Sequence, residues 1–104
     1  MDIASTISKN GILIRLTGER WKHIVLMHPS LTNKQKQVLK IVKNPDYILK
    51  GKAKELLAIS AISKRGYLVV IYKEIEADGF MITAYGTTNK LWLFKKKLIW
   101  NKLS

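Results

Sequence analysis

The chain has 104 residues, 47% of them apolar, and sets nineteen Lys and Arg against seven Asp and Glu for a formal charge of +12. That length suits a single domain, 1–104, with little room for a second core. Cysteine is absent, which excludes a disulfide framework or a thiolate metal site, and two histidines make a meagre metal cage, so neither metal nor cofactor is expected.

The first residues, Met1 to Thr6, lack the charged start and apolar core of a signal peptide. No apolar run approaches the roughly 20 residues that span a bilayer, so a cytoplasmic protein with no membrane partner is expected. Asn10-Gly11 separates two β-prone runs, Ile3 to Ser8 and Ile12 to Leu16, and both turn positions tolerate positive φ, which predicts a short hairpin. Thr17 caps a predicted helix that starts near Gly18, carries Trp21, Ile24, Val25 and His28 on one side, and stops at Pro29. Thr32 is the matching cap for a second helix through Val38, Leu39, Ile41 and Val42, closed by Asn44-Pro45.

From Tyr47 the period changes to that of strands: Tyr47 to Leu49, Leu56 to Ser63, Tyr67 to Lys73 and Phe80 to Thr87. The joints Gly51-Lys52, Lys64-Arg65-Gly66 and Ala77-Asp78-Gly79 are short enough to force antiparallel neighbours. Leu91 to Leu103 reads either as a closing helix or, through Leu98-Ile99-Trp100, as an edge strand. The expected fold is α+β: two N-terminal helices on one face of a four-stranded antiparallel sheet, with a short N-terminal hairpin and a C-terminal helix or edge strand. The other sheet face is then free for substrate.

Charge is unevenly placed. Seven lysines lie between Lys34 and Lys54 with Asp46 the one acid, and five between Lys90 and Lys102 with none. Such asymmetry points to phosphate-bearing partners, with anionic lipid or an acidic protein as rivals. Lysine outnumbers arginine sixteen to three, which favours backbone contact over reading of base edges.

The candidate chemistry begins with His23 and His28. At 100° per residue His28 falls on the apolar side of its helix and His23 on the charged side with Glu19 and Arg20, and their spacing of five is unlike the i, i+4 pairing that shares a zinc ion. Each also has a plain reading, His28 as a helix-end histidine and His23 as a solvated one. Lys73 shares a strand face with Tyr67, Val69 and Ile71, where a solvated strand-end lysine is the plain reading. Thr83, Tyr85 and Thr87 form a polar stripe with Met81, which suits a solvent-facing sheet or one wall of a cleft opposite the charged helix with Arg20 and Lys22. Lys95-Lys96-Lys97 beside Trp92, Phe94 and Trp100 reads as a phosphate track or as a solvated run beside core aromatics. Metal-free RNA cleavage needs a base for the 2′-hydroxyl proton, an acid for the 5′-oxygen, and donors or a cation for the phosphorane charge. Histidine, lysine, tyrosine and threonine can supply all of these.

Arg20-Trp21-Lys22-His23-Ile24 with His28-Pro29, Asn44 to Leu49, Tyr67 to Glu74 and Asp78 to Tyr85 together resemble the phage- and toxin-associated branch of the barnase, EndoU, colicin and RelE-like (BECR) nucleases, over about residues 15 to 100. The resemblance implies N-terminal helices, a four-stranded antiparallel sheet and a metal-independent ribonuclease that acts as a toxin. It matches His23 and His28 to the helix histidines, Lys73 to the basic strand position, and Thr83, Tyr85 and Thr87 to the polar last strand. Glu74 alternates away from Lys73 and is left out. The expected function is an endoribonuclease toxin that cuts by 2′-oxygen attack to a cyclic phosphate. Arg20, Lys22, Thr87, Lys95, Lys96 and Lys97 would bind RNA, whether mRNA, tRNA or ribosome-bound, and an acidic antitoxin would neutralise the protein. The alternatives are a non-catalytic basic nucleic-acid-binding module, and a membrane-surface or protein-interaction domain acting through Leu91 to Leu103.

Overall fold

The structure is a computed structural model that describes residues 1–103. In chain order it contains β1 (Asp2–Ile7), β2 (Leu13–Thr17), α1 (Gly18–Met27), a 3-10 turn (Pro29–Leu31), α2 (Gln35–Lys43), β3 (Tyr47–Lys50), β4 (Leu56–Ala61), β5 (Tyr67–Ile75), β6 (Asp78–Thr87), α3 (Lys90–Leu93) and β7 (Lys97–Asn101). The strands form one seven-stranded sheet in the order β1-β2-β6-β5-β4-β3-β7. Neighbours are antiparallel except β2 and β6, which run parallel over Leu13–Arg15 and Asp78–Phe80.

This corrects the four-stranded antiparallel sheet with two helices. Strands β3 to β6 do follow one another as a meander, but a bare meander leaves two edges of unpaired N–H and C=O groups. The N-terminal hairpin supplies β2 beside β6, and the C-terminal segment supplies both α3 and β7, the latter beside β3. Parallel pairing of β2 with β6 requires a long crossover, which the helices and the meander provide.

One face of the sheet packs on α1 and α2, where Ile24, Val38, Ile41 and Val42 meet Ile14, Leu16, Leu68 and Val70. The opposite face is not open, a second correction. Leu93 of α3 closes over Leu49, Leu57, Ile59 and Val69, and Phe94 meets Tyr47 and Tyr67 edge-on at 5.0 and 5.6 Å between ring centroids. The strip of β5 and β6 beyond this cover, with Ile71, Thr83, Tyr85 and Thr87, is half-buried. The sheet also curls around α2: Lys9, just past β1, lies 5.1 Å over the ring of Trp100 in β7, at the other end of the strand order. No helix among the described residues is long and apolar enough to cross a membrane.

Local chemistry explains the element ends. The Thr17 hydroxyl accepts the Arg20 N–H at 3.1 Å and caps α1. Thr32 does not cap α2; its hydroxyl donates to the Pro29 carbonyl at 2.6 Å inside the 3-10 turn, and α2 begins only at Gln35. Proline preset that turn, so the capping signal was used one element early. Ser8 and Asn10 of the hairpin turn both donate to the Glu74 carboxylate, so Glu74 ties β1 and β2 to β5.

Two irregularities in β6 position the rest. Ile71 faces Thr83 but Tyr72 faces Met81, so Ile82 is an extra residue, and this bulge turns Met81 into the helix-side core. Strict alternation had placed Met81 with Thr83, Tyr85 and Thr87. Gly79 is not in a turn, because the chain reverses at Glu76 and Ala77, with Glu76 at φ 56°. Gly79 instead sits opposite Ile14, where an added Cβ would lie 2.5 Å from Ile14 Cδ1 and 2.7 Å from the Lys73 carbonyl oxygen. The isoleucine tip can move and the backbone oxygen cannot. Gly79→Ala is therefore expected to destabilise the fold by about 1–3 kcal/mol, seen as a lower urea midpoint; an unchanged midpoint would refute this close approach.

Strand β7 is anchored through Asp46, which lies 2.8 Å from Lys102 Nζ and accepts the Ala61 N–H at 3.0 Å. Partial burial pushes the Asp46 carboxyl up, but Lys102 and the Ala61 N–H outweigh it and hold the group below the usual carboxylate range. A carboxyl depressed by folding stabilises the fold above its unfolded value of about 3.9 and loses that contribution as pH falls through the folded value. The Asp46→Asn variant should accordingly lose less stability between pH 7 and pH 2 than the parent, measured by urea titration at both; equal losses would remove Asp46 from the acid response.

Candidate functional site

Strand β2 pairs with β6 only as far as Phe80, and past that point α1 packs along β6. The end of α1 is thereby carried to the polar strip of β6. Pro29 stops the helix, the His28 N–H closes the last turn on the Ile24 carbonyl at 2.8 Å, and the half-buried His28 ring settles 6.2 Å from the Tyr85 ring at a tilt of 37°. Thr83 and Thr87 flank Tyr85 on the same sheet face, opposite Ile71 and Tyr67 of β5.

His23 takes a different place. It is exposed and lines a shallow depression of about 230 Å³ with Thr17, Glu19 and Arg20. Lys22 is exposed on the same helix. The two histidines thus occupy separate surroundings, and His28 is the one that meets the sheet.

Lys73 faces the same side as Tyr85, but the two are not neighbours. Lys73 pairs with Phe80 and Tyr85 with Val69, four residues apart along β5. At a strand rise of about 3.3 Å per residue that separation is about 13 Å. Lys73 lies one residue past the last β4–β5 pair, Leu56 with Tyr72, toward the β3–β4 turn.

The other end of the strip has Lys64 and Arg65, which the sequence marks only as a turn, and Lys90, which opens the lysine-rich C-terminal run. Thr87 lines a depression with Ser63, Gly66 and Tyr67, and the neighbouring one is lined by Lys64, Arg65, Tyr67, Thr88 and Lys90. Tyr67 and Thr88 belong to both. The β4–β5 turn and the β6–α3 connection bring these charges together, a pairing invisible without the sheet order.

Lys95, Lys96 and Lys97 line a cleft of about 570 Å³ together with Lys50, Gly51, Lys52 and Trp92. Lys50, Lys52 and Trp92 were not singled out as one site by spacing, because the β3–β4 turn and the α3–β7 segment meet only in the folded sheet. No residue of α1, β5 or β6 lines this cleft, so it is distinct from the His28–Tyr85 strip.

In comparisons with known proteins, no family model, no curated protein and no solved structure matches this chain.

Electrostatics sorts the candidate groups. Burial pushes the Tyr85 phenol up, so at neutral pH it is a hydrogen-bond donor and not a base. Thr87 accepts the Asn89 N–H at 3.0 Å through its hydroxyl oxygen and still has a proton to donate. The Tyr72 hydroxyl has no hydrogen-bond partner among the described residues, but it faces the helix-side core and cannot reach the strip. No group of three or more His, Cys, Asp or Glu among the described residues converges to hold a metal ion. What the strip offers is one imidazole beside a phenol and two threonine hydroxyls, with Lys64, Arg65 and Lys90 beyond Thr87.

Proposed function

We propose that this chain is a metal-independent endoribonuclease working at the His28–Tyr85 strip. The observation that carries the reading is the packing of the His28 ring on Tyr85, at 6.2 Å between centroids, in the middle of the half-buried threonine stripe of β6. An imidazole there can take the 2′-hydroxyl proton as the O2′–P bond forms, and return it to the 5′-oxygen as the P–O5′ bond breaks. The product is a 2′,3′-cyclic phosphate and a free 5′-hydroxyl. Tyr85 and Thr83 donate hydrogen bonds to the non-bridging oxygens as charge builds on them.

Lys73, some four residues along β5 from Val69, steadies a neighbouring phosphate in this scheme and not the reacting one. Lys64, Arg65 and Lys90 supply positive charge nearer Thr87. The formal charge of +12 and the motif resemblance support a role as a toxin on mRNA, tRNA or ribosome-bound RNA, restrained by an acidic antitoxin.

The test is incubation of the purified protein with tRNA, mRNA and ribosomes in the presence of EDTA, with the new ends analysed. Fragments ending in cyclic phosphate are expected. Intact RNA with all three substrates rules the proposal out and leaves the second reading, a nucleic-acid-binding module without chemistry. The separation of Lys73 from His28 and Tyr85 is what favours that alternative.

A further inference from the structure

The cleft between the β3–β4 turn and the α3–β7 segment carries five lysines, Lys50, Lys52, Lys95, Lys96 and Lys97, around a volume of about 570 Å³. None of them makes an ion pair among the described residues, whereas Arg15 bridges Asp2 and Asp78 and Lys102 pairs with Asp46. The acid of this turn, Glu55, neither lines the cleft nor pairs with one of these lysines: its carboxylate accepts the Ala53 N–H at 3.2 Å and packs over Gly51, where a Cβ would collide with it. Unscreened like charges at this density oppose the compact state. A bound polyanion would relieve that repulsion.

Three consecutive lysines share one concavity because the chain changes conformation within them, Lys95 and Lys96 lying in the turn after α3 and Lys97 opening β7. A helix would spread them 100° apart and a strand would alternate them, but the turn after α3 wraps them around the cleft, with Lys95 and Lys96 N–H groups closing onto the Trp92 and Leu93 carbonyls at 3.4 Å. Trp92 forms an apolar part of the wall, 48% exposed, with Lys96 Nζ 3.8 Å from its ring centroid. Lysines around an exposed indole combine phosphate contact with a stacking platform. The volume lies within the roughly 300–1,000 Å³ of small-ligand sites, which admits a nucleotide or two but not a duplex.

We propose that this cleft binds the sugar-phosphate backbone of single-stranded RNA, with a base stacked on Trp92, as an anchoring site separate from the His28–Tyr85 strip. Binding here needs no reaction; that the anchored strand also feeds the strip rests on the ribonuclease proposal. The concave, lysine-lined shape favours a strand over a membrane, since a membrane-binding surface presents its apolar side chains outward on one face.

Fluorescence anisotropy with a 12-nucleotide 2′-O-methyl oligouridylate tests the cleft by itself, because that strand cannot be cut by 2′-oxygen attack. The full chain is compared with Lys52→Ala/Lys95→Ala/Lys97→Ala and with a charge-matched control on α2, Lys36→Ala/Lys40→Ala/Lys43→Ala; all six lysines are exposed, so both variants should fold. Removing three phosphate contacts should weaken binding about tenfold or more, and should flatten the salt dependence by about two, at roughly 0.7 per single-strand contact. Trp92→Ala should cost about tenfold and Trp92→Phe far less. The α2 control should bind nearly as the parent does.

Equal weakening by the two triple variants would overturn the cleft in favour of undirected charge attraction. So would loss of phosphatidylserine-vesicle binding in the cleft variant with oligonucleotide binding intact, which would assign the surface to a membrane. A cleft variant that fails to bind yet still cuts short RNA would sustain this inference and the cleavage proposal separately; a parent that binds but never cuts would sustain only the first.

Discussion

Replacing His28 with alanine is expected to lower RNA cleavage by roughly 10²–10⁴-fold, the range for losing one positioned proton-transfer group, with oligonucleotide binding nearly unchanged. The fold should tolerate the change. The His28 ring is half-buried, its backbone N–H keeps its bond to Ile24, and an aromatic contact such as that with Tyr85 contributes only about 0.5–1.5 kcal/mol. His23→Ala is the matched comparison, because that ring is exposed among Thr17, Glu19 and Arg20, away from the sheet. Its cleavage should stay within about twofold of the parent, since a surface substitution away from the reacting groups removes no transition-state contact. Tyr85→Phe removes a single donor and should cost about 10²–10³-fold. The reverse order, with His23 essential and His28 dispensable, would move the chemistry to the far side of α1 and end the assignment.

Leu93→Ala is expected to have the largest effect on stability. Leu93 is fully buried and is the residue by which α3 enters the outer core with Leu49, Leu57, Ile59 and Val69. Truncating such a side chain costs about 2–5 kcal/mol, because the lost transfer energy is joined by that of an unfilled cavity. A domain of this length has on the order of 5–15 kcal/mol in total, so the melting temperature should fall by on the order of 10–20 °C. The effect should extend beyond stability. Releasing α3 frees Trp92 and the Lys95–Lys96 turn from the wall they form, so oligonucleotide binding should weaken although no lysine has changed. Leu93→Met preserves volume and should cost less than about 1.5 kcal/mol. Thermal melts followed by circular dichroism decide the matter; an Ala variant melting with the parent would mean that α3 does not hold the outer face.

Short-range chemistry made much of this chain readable from its residues. The hydroxyl of Thr17 caps α1, Ile24 is buried and His23 exposed on the same helix, and Gly11 takes φ 79° at the tip of the hairpin. Each of these outcomes is decided within one turn of helix or one reversal of chain, where neighbouring residues supply all the interactions that matter. The polar stripe Thr83, Tyr85 and Thr87 was legible for the same reason, because strand alternation is local. The resemblance-based residues gained positions but not a common place: His28 lies against Tyr85, while Lys73 is displaced toward the β3–β4 turn.

Residue order by itself determined the N-terminal hairpin, the course of α1, the extended runs between Tyr47 and Thr87 and the cationic excess, while it left Leu91 to Leu103 open between helix and edge strand. Tertiary structure alone decided that β2 runs parallel to β6, that Gly79 packs under Ile14, that a bulge sends Met81 inward, and that Lys50 and Lys52 join Lys95, Lys96 and Lys97 around one cleft. The physical reason is range. Pairing Ile14 with Gly79 closes a loop of more than sixty residues, and its free energy depends on edge satisfaction and packing over the whole sheet, which no local pattern records.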